Sequence, residues 1–297
     1  MTQGMLVFAA SVPYGPAIGL LAGLGVLFGV ALYIGSRKFA VKVDPRVDEI
    51  VEALPNANCG GCGFGGCRAY AEAVVLKGVA TNLCAPGGPA ASAAVARIMG
   101  VADVGAEMRV AVVHCQGAPA RSRSRGEYSG LRDCRAAVVP GAGGGAKSCA
   151  YGCLGYGTCV EACPFGAMVM GPDGLPQVIE RLCTACGRCV EACPRSLISL
   201  HSKKQAVFVL CRSHNKAKVV REVCDVGCIA CRRCEKACKH DAIHVKDNVA
   251  VIDDAKCTQC AECVKVCPRG VIWDLSAARA AYSGTRAPAE ATAQVGG

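Results

Sequence analysis

Aromatic residues are scarce: Trp, Tyr and Phe make up 5% of the 297 residues. So few rings cannot dominate the interior of a chain this long, and no basic stretch is interleaved with aromatics on which nucleobases could stack. No Gly-x-Gly-x-x-Gly follows a strand-like run, so no dinucleotide site is visible. No Cys-x-x-Cys-His offers a haem attachment point, and the five histidines (His114, His201, His214, His240, His244) are scattered and read as mostly surface residues. PGAGGGAKS at 140–148 approaches a phosphate-binding loop, but Ala146 stands at its second glycine and a cysteine loop follows instead of a helix, so it reads as a flexible connector. No catalytic acid, base or nucleophile constellation is present.

Cysteine is abundant, with 24 residues, most of them in tight Cys-x-x-Cys runs. Neighbours that close make poor disulfide partners and good metal ligands, which points to a reducing compartment and a metal-loaded chain. The formal charge is +10, with 33 Lys and Arg against 23 Asp and Glu. That count treats every cysteine as neutral. A [4Fe-4S] centre with four thiolates carries about two negative charges, so five of them roughly cancel the excess, and no nucleic-acid partner is needed to explain it.

Residues 17–35, AIGLLAGLGVLFGVALYIG, are uncharged and long enough to cross a bilayer. Arg37, Lys38 and Lys42 follow and nothing positive precedes, which predicts a single-pass anchor with the remaining chain on the cytoplasmic side. Gly19/Gly23 and Gly25/Gly29 have the small-xxx-small spacing that allows close approach of another helix, a spacing equally explained by the frequency of glycine in membrane helices.

Asp44-Pro45 opens a short helix with Val47, Ile50, Val51 and Leu54 on one side, ended by Pro55. Cys59, Cys62 and Cys67 then sit in a glycine-rich loop, a helix begins near Arg68, and Cys84 returns. Four thiolates from one loop and one return fit a single [4Fe-4S] cluster; structural zinc, the alternative, more often uses two Cys-x-x-Cys pairs. Residues 85–106 read as an Ala-, Gly- and Pro-rich linker with a short helical pattern.

An internal repeat follows. RVAVVHC ends at Cys115 and QAVFVLC ends at Cys211, each strand-like and each followed by a spacer and two ferredoxin-type runs. The fourth cysteine of each such run ligates the other cluster. In the second copy this predicts one cluster on Cys228, Cys231, Cys234 and Cys267 and another on Cys257, Cys260, Cys263 and Cys238. In the first copy Cys183, Cys186, Cys189 and Cys163 form a set, while Cys153, Cys159 and Cys193 lack a partner because Tyr156 replaces the expected cysteine. Cys149 is the nearest substitute, and a site with three irons or none is the alternative. Cys115, Cys134, Cys211 and Cys224 remain. They are open between a sixth cluster, a ligand role for Cys134 or Cys115 in place of Cys149, and ordinary buried thiols. The basic stretch of Arg232, Arg233, Lys236 and Lys239 over a cluster loop is either a docking face for an acidic redox partner or a solvated helix face.

The expected class is α+β. The expected divisions are an anchor at 1–40, a single-cluster α-helical domain at 41–100, ferredoxin-like units at 107–204 and 205–275, and a disordered tail at 276–297.

The order of anchor, CGGCGFGGC loop with a return cysteine, and ferredoxin runs resembles the B subunit of the Rnf complex, a membrane-bound ferredoxin:NAD+ oxidoreductase that couples electron transfer to ion export. VDPRVDEIVEALPNANCGGCGFGGCRAYAEAV and CAYGCLGYGTCVEACPFGA carry the resemblance, which runs from about residue 5 to 273. It implies an electron relay in the cytoplasmic membrane that receives electrons from reduced ferredoxin and passes them to partner subunits holding the flavin and NAD sites. Two tandem units mark a longer variant. The competing classes are a membrane-anchored reductase module of a redox-sensing regulatory system and a polyferredoxin subunit of a membrane hydrogenase.

Overall fold

The structure, a computed structural model, describes residues 14–38 and 44–276. The expected tail, apart from Ser276, and Lys42 lie outside the described residues. The chain divides into two compact units, residues 1–45 and 46–297.

The first unit contains helix α1, Tyr14–Lys38, which ends on Arg37 and Lys38. Its stretch from Ile18 to Lys38 has a mean hydropathy of 2.2, and its large apolar side chains are exposed. A helix this apolar, with no polar face, has the length and character needed to cross a bilayer.

The second unit opens with α2 (Pro45–Ala53), α3 (Cys67–Lys77) and α4 (Gly88–Met99). Val47 and Ile50 of the first, with Leu54 just after it, share one small core with Tyr70, Ala71 and Val74 of the second and Ala91 and Val95 of the third. Burying each large aliphatic side chain contributes about 1.5–3 kcal/mol. The linker expected at 85–106 is therefore corrected: α4 buries Ala91, Ser92, Val95 and Ala96, an i, i+4 stripe, and Gly100 caps it in the left-handed conformation. Tyr70 is fully buried, and its hydroxyl donates to the Ala80 carbonyl at 2.9 Å and accepts from the Leu83 N–H at 3.3 Å, which fixes the return to Cys84.

Two copies of one pattern follow. The first comprises β1 (Arg109–Val113), α5 (Cys134–Val138), α6 (Thr158–Glu161), β2 (Met168–Met170), β3 (Pro176–Val178), α7 (Arg188–Ala192) and β4 (Ile198–Ser202). The second comprises β5 (Val207–Val209), α8 (Ala217–Val223), α9 (Arg233–Ala237), β6 (Ile243–Lys246), β7 (Val249–Ile252), α10 (Glu262–Lys265) and β8 (Ile272–Asp274). In each copy the leading strand pairs antiparallel with the last (β1 with β4, β5 with β8) and the middle strands form a hairpin (β2 with β3, β6 with β7). The outer strands of the two copies meet, with Val110 and Val112 packed against Phe208 and Leu210. Period-2 alternation explains this: Ala111 turns the opposite way, into the core with Cys159, Cys189 and Ile198. The architecture is α+β, with one apolar N-terminal helix, a small helical module and two tandem ferredoxin-like units.

His114 corrects the surface reading of the histidines. It is buried, with Nδ1 2.8 Å from the Val209 carbonyl oxygen and Nε2 2.6 Å from the Ser199 hydroxyl, and it ties the two copies together. Burial pushes its pKa down to about 4, with Arg212 and His201 adding to the effect.

Candidate metal centres

None of the 24 cysteines is in a disulfide. The four ferredoxin runs share one backbone. The residue just before the second ligand position is left-handed in each: Gly155, Ala185, Ala230 and Gln259. So is the residue two before the third cysteine, at Gly157, Gly187, Arg232 and Ala261, which caps the short helix that follows. Non-glycine residues pay strain for that conformation, so its recurrence at Ala185, Ala230, Arg232, Gln259 and Ala261 marks a loop whose shape is imposed by what it encloses. Downstream, an N–H four residues on donates to the fourth cysteine in every run: Ala167 to Cys163 Sγ at 3.3 Å, Leu197 to Cys193 at 3.4 Å, Ala242 to Cys238 at 3.3 Å and Val271 to Cys267 at 3.4 Å. Such bonds stabilise negative charge on sulfur and are a lever on cluster potential.

The side chains gather as follows. Cys84 faces Cys59, Cys62 and Cys67, and burial raises its pKa. The loop is braced by Asn58, whose Oδ1 accepts from the Cys67 N–H at 2.9 Å. Burial, then the thiolates of Cys183, Cys186 and Cys163, push Cys189 up to about 12. Cys228, Cys231, Cys234 and Cys267 line one cavity, and Cys238, Cys257, Cys260 and Cys263 line another. Burial pushes Cys234 up to about 12 and Cys263 up to about 11, with the other three cysteines of each set adding to it.

The first copy departs from expectation in one place. Cys153, Cys159 and Cys193 share their cavity with Cys134, not Cys149. Burial, then Cys153, Cys134 and Cys193, push Cys159 up to about 12. Cys134 begins α5, where Asp133 caps the helix by accepting from the Ala136 N–H at 2.7 Å and from the Thr158 hydroxyl at 2.8 Å, while the Cys134 N–H donates to Thr158 Oγ1 at 2.8 Å. Cys149 lines a different cavity, together with Cys115, Cys211 and Cys224. The sixth grouping expected from the leftover cysteines is thus corrected by one exchange, Cys149 for Cys134. The signal was in the repeat: Cys149 stands four residues before Cys153 as Cys224 stands four before Cys228. Cys134 has no counterpart in the second copy, because it lies in a spacer between Cys115 and Cys149 that is longer than the one between Cys211 and Cys224. Lys147, expected in a flexible connector, is buried against this cavity and donates to the Gly117 carbonyl at 2.5 Å.

Thiols held this far above the ordinary cysteine range are protonated at neutral pH unless a cation binds them. Among the described residues, no three Cys, His, Asp or Glu side chains converge closely enough to hold a single metal ion. Four cysteines around each of three cavities suit a four-iron cluster, in which each thiolate binds a different iron. The buried Nε–H of Arg269, which lines the cavity of Cys228, Cys231, Cys234 and Cys267, has no hydrogen-bond partner among the described residues. A buried donor on a residue that lines a cysteine-rich cavity fits an anionic occupant nearby.

Comparison with known proteins agrees with this chemistry. An Fe-S cluster family model matches residues 54–86, and 4Fe-4S dicluster models match 148–198 and 227–271. The B subunit of the sodium-translocating ferredoxin:NAD+ oxidoreductase complex of Acetobacterium woodii is 49% identical, covering 86% of this chain and 76% of its own. The proton-translocating counterpart of Clostridium ljungdahlii is 49% identical over 84% of this chain and 88% of its own. The B subunit of the ion-translocating oxidoreductase complex of Methanosarcina acetivorans is 44% identical over 86% and 96%. The chain is an iron–sulfur electron-transfer protein with [4Fe-4S] centres, and it belongs to the family of B subunits of ion-translocating ferredoxin:NAD+ oxidoreductase complexes, in the long form with two tandem dicluster units.

Proposed function

We propose that this chain takes electrons from reduced ferredoxin on the cytoplasmic side and relays them to flavin- and NAD-binding partner subunits of an ion-translocating membrane complex. Five cluster sites serve that role: Cys59, Cys62, Cys67, Cys84; Cys163, Cys183, Cys186, Cys189; Cys134, Cys153, Cys159, Cys193; Cys228, Cys231, Cys234, Cys267; and Cys238, Cys257, Cys260, Cys263. The clusters supply one-electron chemistry at low potential. The protein positions them, donates N–H groups to sulfur and limits water.

The observation that carries the reading is where thiols reach the surface. Of the 24 cysteines only Cys231 and Cys260 are exposed, both in the second ferredoxin unit. Arg232, Arg233, Lys236 and Lys239 stand exposed beside the first of them. A basic rim around the accessible edge of a cluster site suits an acidic redox carrier, since complementary charge raises the encounter rate. At the other end of the chain, the first cluster module follows directly on the apolar helix in sequence, and Arg37 and Lys38 at that helix's end support a cytoplasmic location for the cluster domains.

The test is stopped-flow reduction of the anaerobically purified protein by reduced ferredoxin at several salt concentrations. The expected result is rapid, salt-sensitive reduction, slowed about tenfold or more by Arg232→Glu/Arg233→Glu. Reduction indifferent to both salt and charge reversal overturns the docking face, and an iron-free protein overturns the relay.

A further inference from the structure

We infer that the C-terminal segment, residues 277–297, folds back over the seam between the two ferredoxin units and pairs its backbone with the free edge of β1.

A cavity of about 520 Å³ opens at that seam. Leu175, Pro176, Ile179, Leu210, Trp273 and Leu275 give it apolar walls. Trp273, the single tryptophan of the chain, is 42% exposed. Two strand edges border the cavity. The His114 N–H donates to the Leu197 carbonyl at 2.7 Å and the Lys203 N–H to the Met108 carbonyl at 2.9 Å. Bonded pairs alternate along an antiparallel ladder, so Val110 and Val112 turn their backbone groups to β4, while Ala111 and Val113 turn theirs away from it. In the hairpin the Gly171 N–H donates to the Leu175 carbonyl at 2.8 Å and the Ile179 N–H to the Ala167 carbonyl at 2.7 Å. By the same alternation Pro176 and Val178 turn their backbone groups away from β2.

Ala111, Val113, Pro176 and Val178 all line the cavity. The outward N–H and C=O groups of Ala111 and Val113 have no hydrogen-bond partner among the described residues. Ala111 is only 3% exposed. Backbone groups that deep cost free energy unless they are bonded, so the seam calls for an occupant with donors and acceptors of its own.

The chain supplies one. Leu275 packs with Val110, Val112, Phe208 and Leu210 and lines the cavity. Its N–H donates to the Ala206 carbonyl at 2.9 Å, one rung beyond β8, and Asp274 Oδ1 accepts from the Ser276 N–H at 2.9 Å. The segment after Ser276 therefore starts from the cavity wall. A tethered segment is present at about millimolar effective concentration, which a separate partner rarely matches. Its composition fits a narrow seam. Five of the eleven residues from 277 to 287 are alanine, whose small side chains let one backbone approach another, and Tyr282 supplies a ring for Trp273. Pro288 has no N–H, so 277–287 is the stretch able to pair without a break. β1 is the better edge, because at β3 Pro176 also lacks a donor. A covered edge is closed to other chains, which keeps a sheet of two strands from pairing with a second copy.

The test is hydrogen–deuterium exchange read amide by amide by mass spectrometry, on the full-length, cluster-loaded protein and on a chain truncated after Ser276. The Ala111 and Val113 amides are expected to exchange at least about tenfold faster in the truncated chain, with the Val112 amide unchanged because β4 holds it. Ala278→Pro/Ala280→Pro in the full chain should raise the same two rates, since each proline removes an N–H from the segment. That variant decides the matter should the truncated chain not fold. Equal rates in all three proteins leave the edge to water and overturn the proposal. Protection that appears only as protein concentration rises, or only on adding the partner subunits, also overturns it and assigns the edge to a second copy or to a partner.

Discussion

Arg269 reaches back along the chain to donate to the carbonyl of Cys224 at 2.6 Å, and Cys224 lines a cavity with Cys115, Cys149 and Cys211. The guanidinium thus holds a candidate ligand through its backbone while placing a positive charge beside the site. Charge-assisted bonds of this kind contribute about 1.5–3 kcal/mol. Arg269→Met is expected to destabilise the cluster-loaded protein by that order, read as a lowered midpoint in anaerobic denaturant titration. Removal of a cation also disfavours the reduced, more negative cluster, so redox titration followed by EPR should show one centre moved to more negative potential. No shift in any centre would remove the electrostatic role.

Asp133 fixes Cys134 by capping α5 and by holding Thr158, which in turn accepts from the Cys134 N–H. The Ala136 N–H, then the Thr158 hydroxyl, hold its carboxyl below the usual carboxylate range. A group whose folded pKa is depressed stabilises the fold at neutral pH, and that contribution is lost as pH falls through the lowered value. Asp133→Ala is expected to lower the melting temperature at pH 7 by about 2 °C, with the difference from wild type shrinking in acid. Iron content should stay full, because the ligand itself remains. A difference independent of pH would assign the effect to something other than the carboxylate.

The apolar helix, the glycine-rich loop and the ferredoxin runs were legible in the sequence because spacing alone encodes them: an uncharged stretch of bilayer length, and cysteines three residues apart. The cysteines of the second copy gather in the fold as their spacing predicts, for the same reason. Cys134 was legible only as an alternative to Cys149, since its nearest partner in its cavity, Cys153, lies far along the chain and only the folding of the spacer over α6 brings them together. Cys149 lies in the other cavity: in the sequence its proximity to the gap at Tyr156 outweighs the repeat, which pairs it with Cys224. α4 was read only as a short helical pattern in a linker because Ala and Gly carry little apolar signal, and its place in the core depends on the neighbouring helices rather than on its own hydrophobicity. His114 follows a strand whose alternation gave no hint that the other copy's Val209 would supply a hydrogen-bond acceptor.

Gly61 tests the contact between the first module and the ferredoxin unit. Its backbone lies so close to Cys186 that a Cβ would meet the carbonyl oxygen at 2.5 Å, and the next contacts are also Cys186 backbone atoms. Backbone cannot yield as a flexible side chain does, so Gly61→Ala should cost about 1–3 kcal/mol or push the two loops apart. The informative readout is transfer: in rapid-freeze EPR the cluster on Cys59, Cys62, Cys67 and Cys84 should become reduced more slowly after mixing with ferredoxin, while the other centres fill at the wild-type rate. Unaltered filling of that centre would place the route into it elsewhere.

Tyr156 occupies the position of a ligand without being one. Gly155 before it and Gly157 after it keep the same left-handed conformations that flank Cys186, Cys231 and Cys260 in the other runs, so the loop retains the shape of a four-cysteine run. The tyrosine ring stacks on Tyr128 instead, with centroids 5.4 Å apart. If Cys134 supplies the missing thiolate, Cys134→Ala should remove about four irons and one EPR component. Adding Tyr156→Cys to that variant should restore both, because a thiol at 156 is presented by the same backbone geometry that presents Cys186. Cys149→Ala should not be rescued by Tyr156→Cys, since it belongs to the other cavity. Rescue of Cys149→Ala and failure to rescue Cys134→Ala would return Cys149 to this cluster and leave Cys134 a structural thiol.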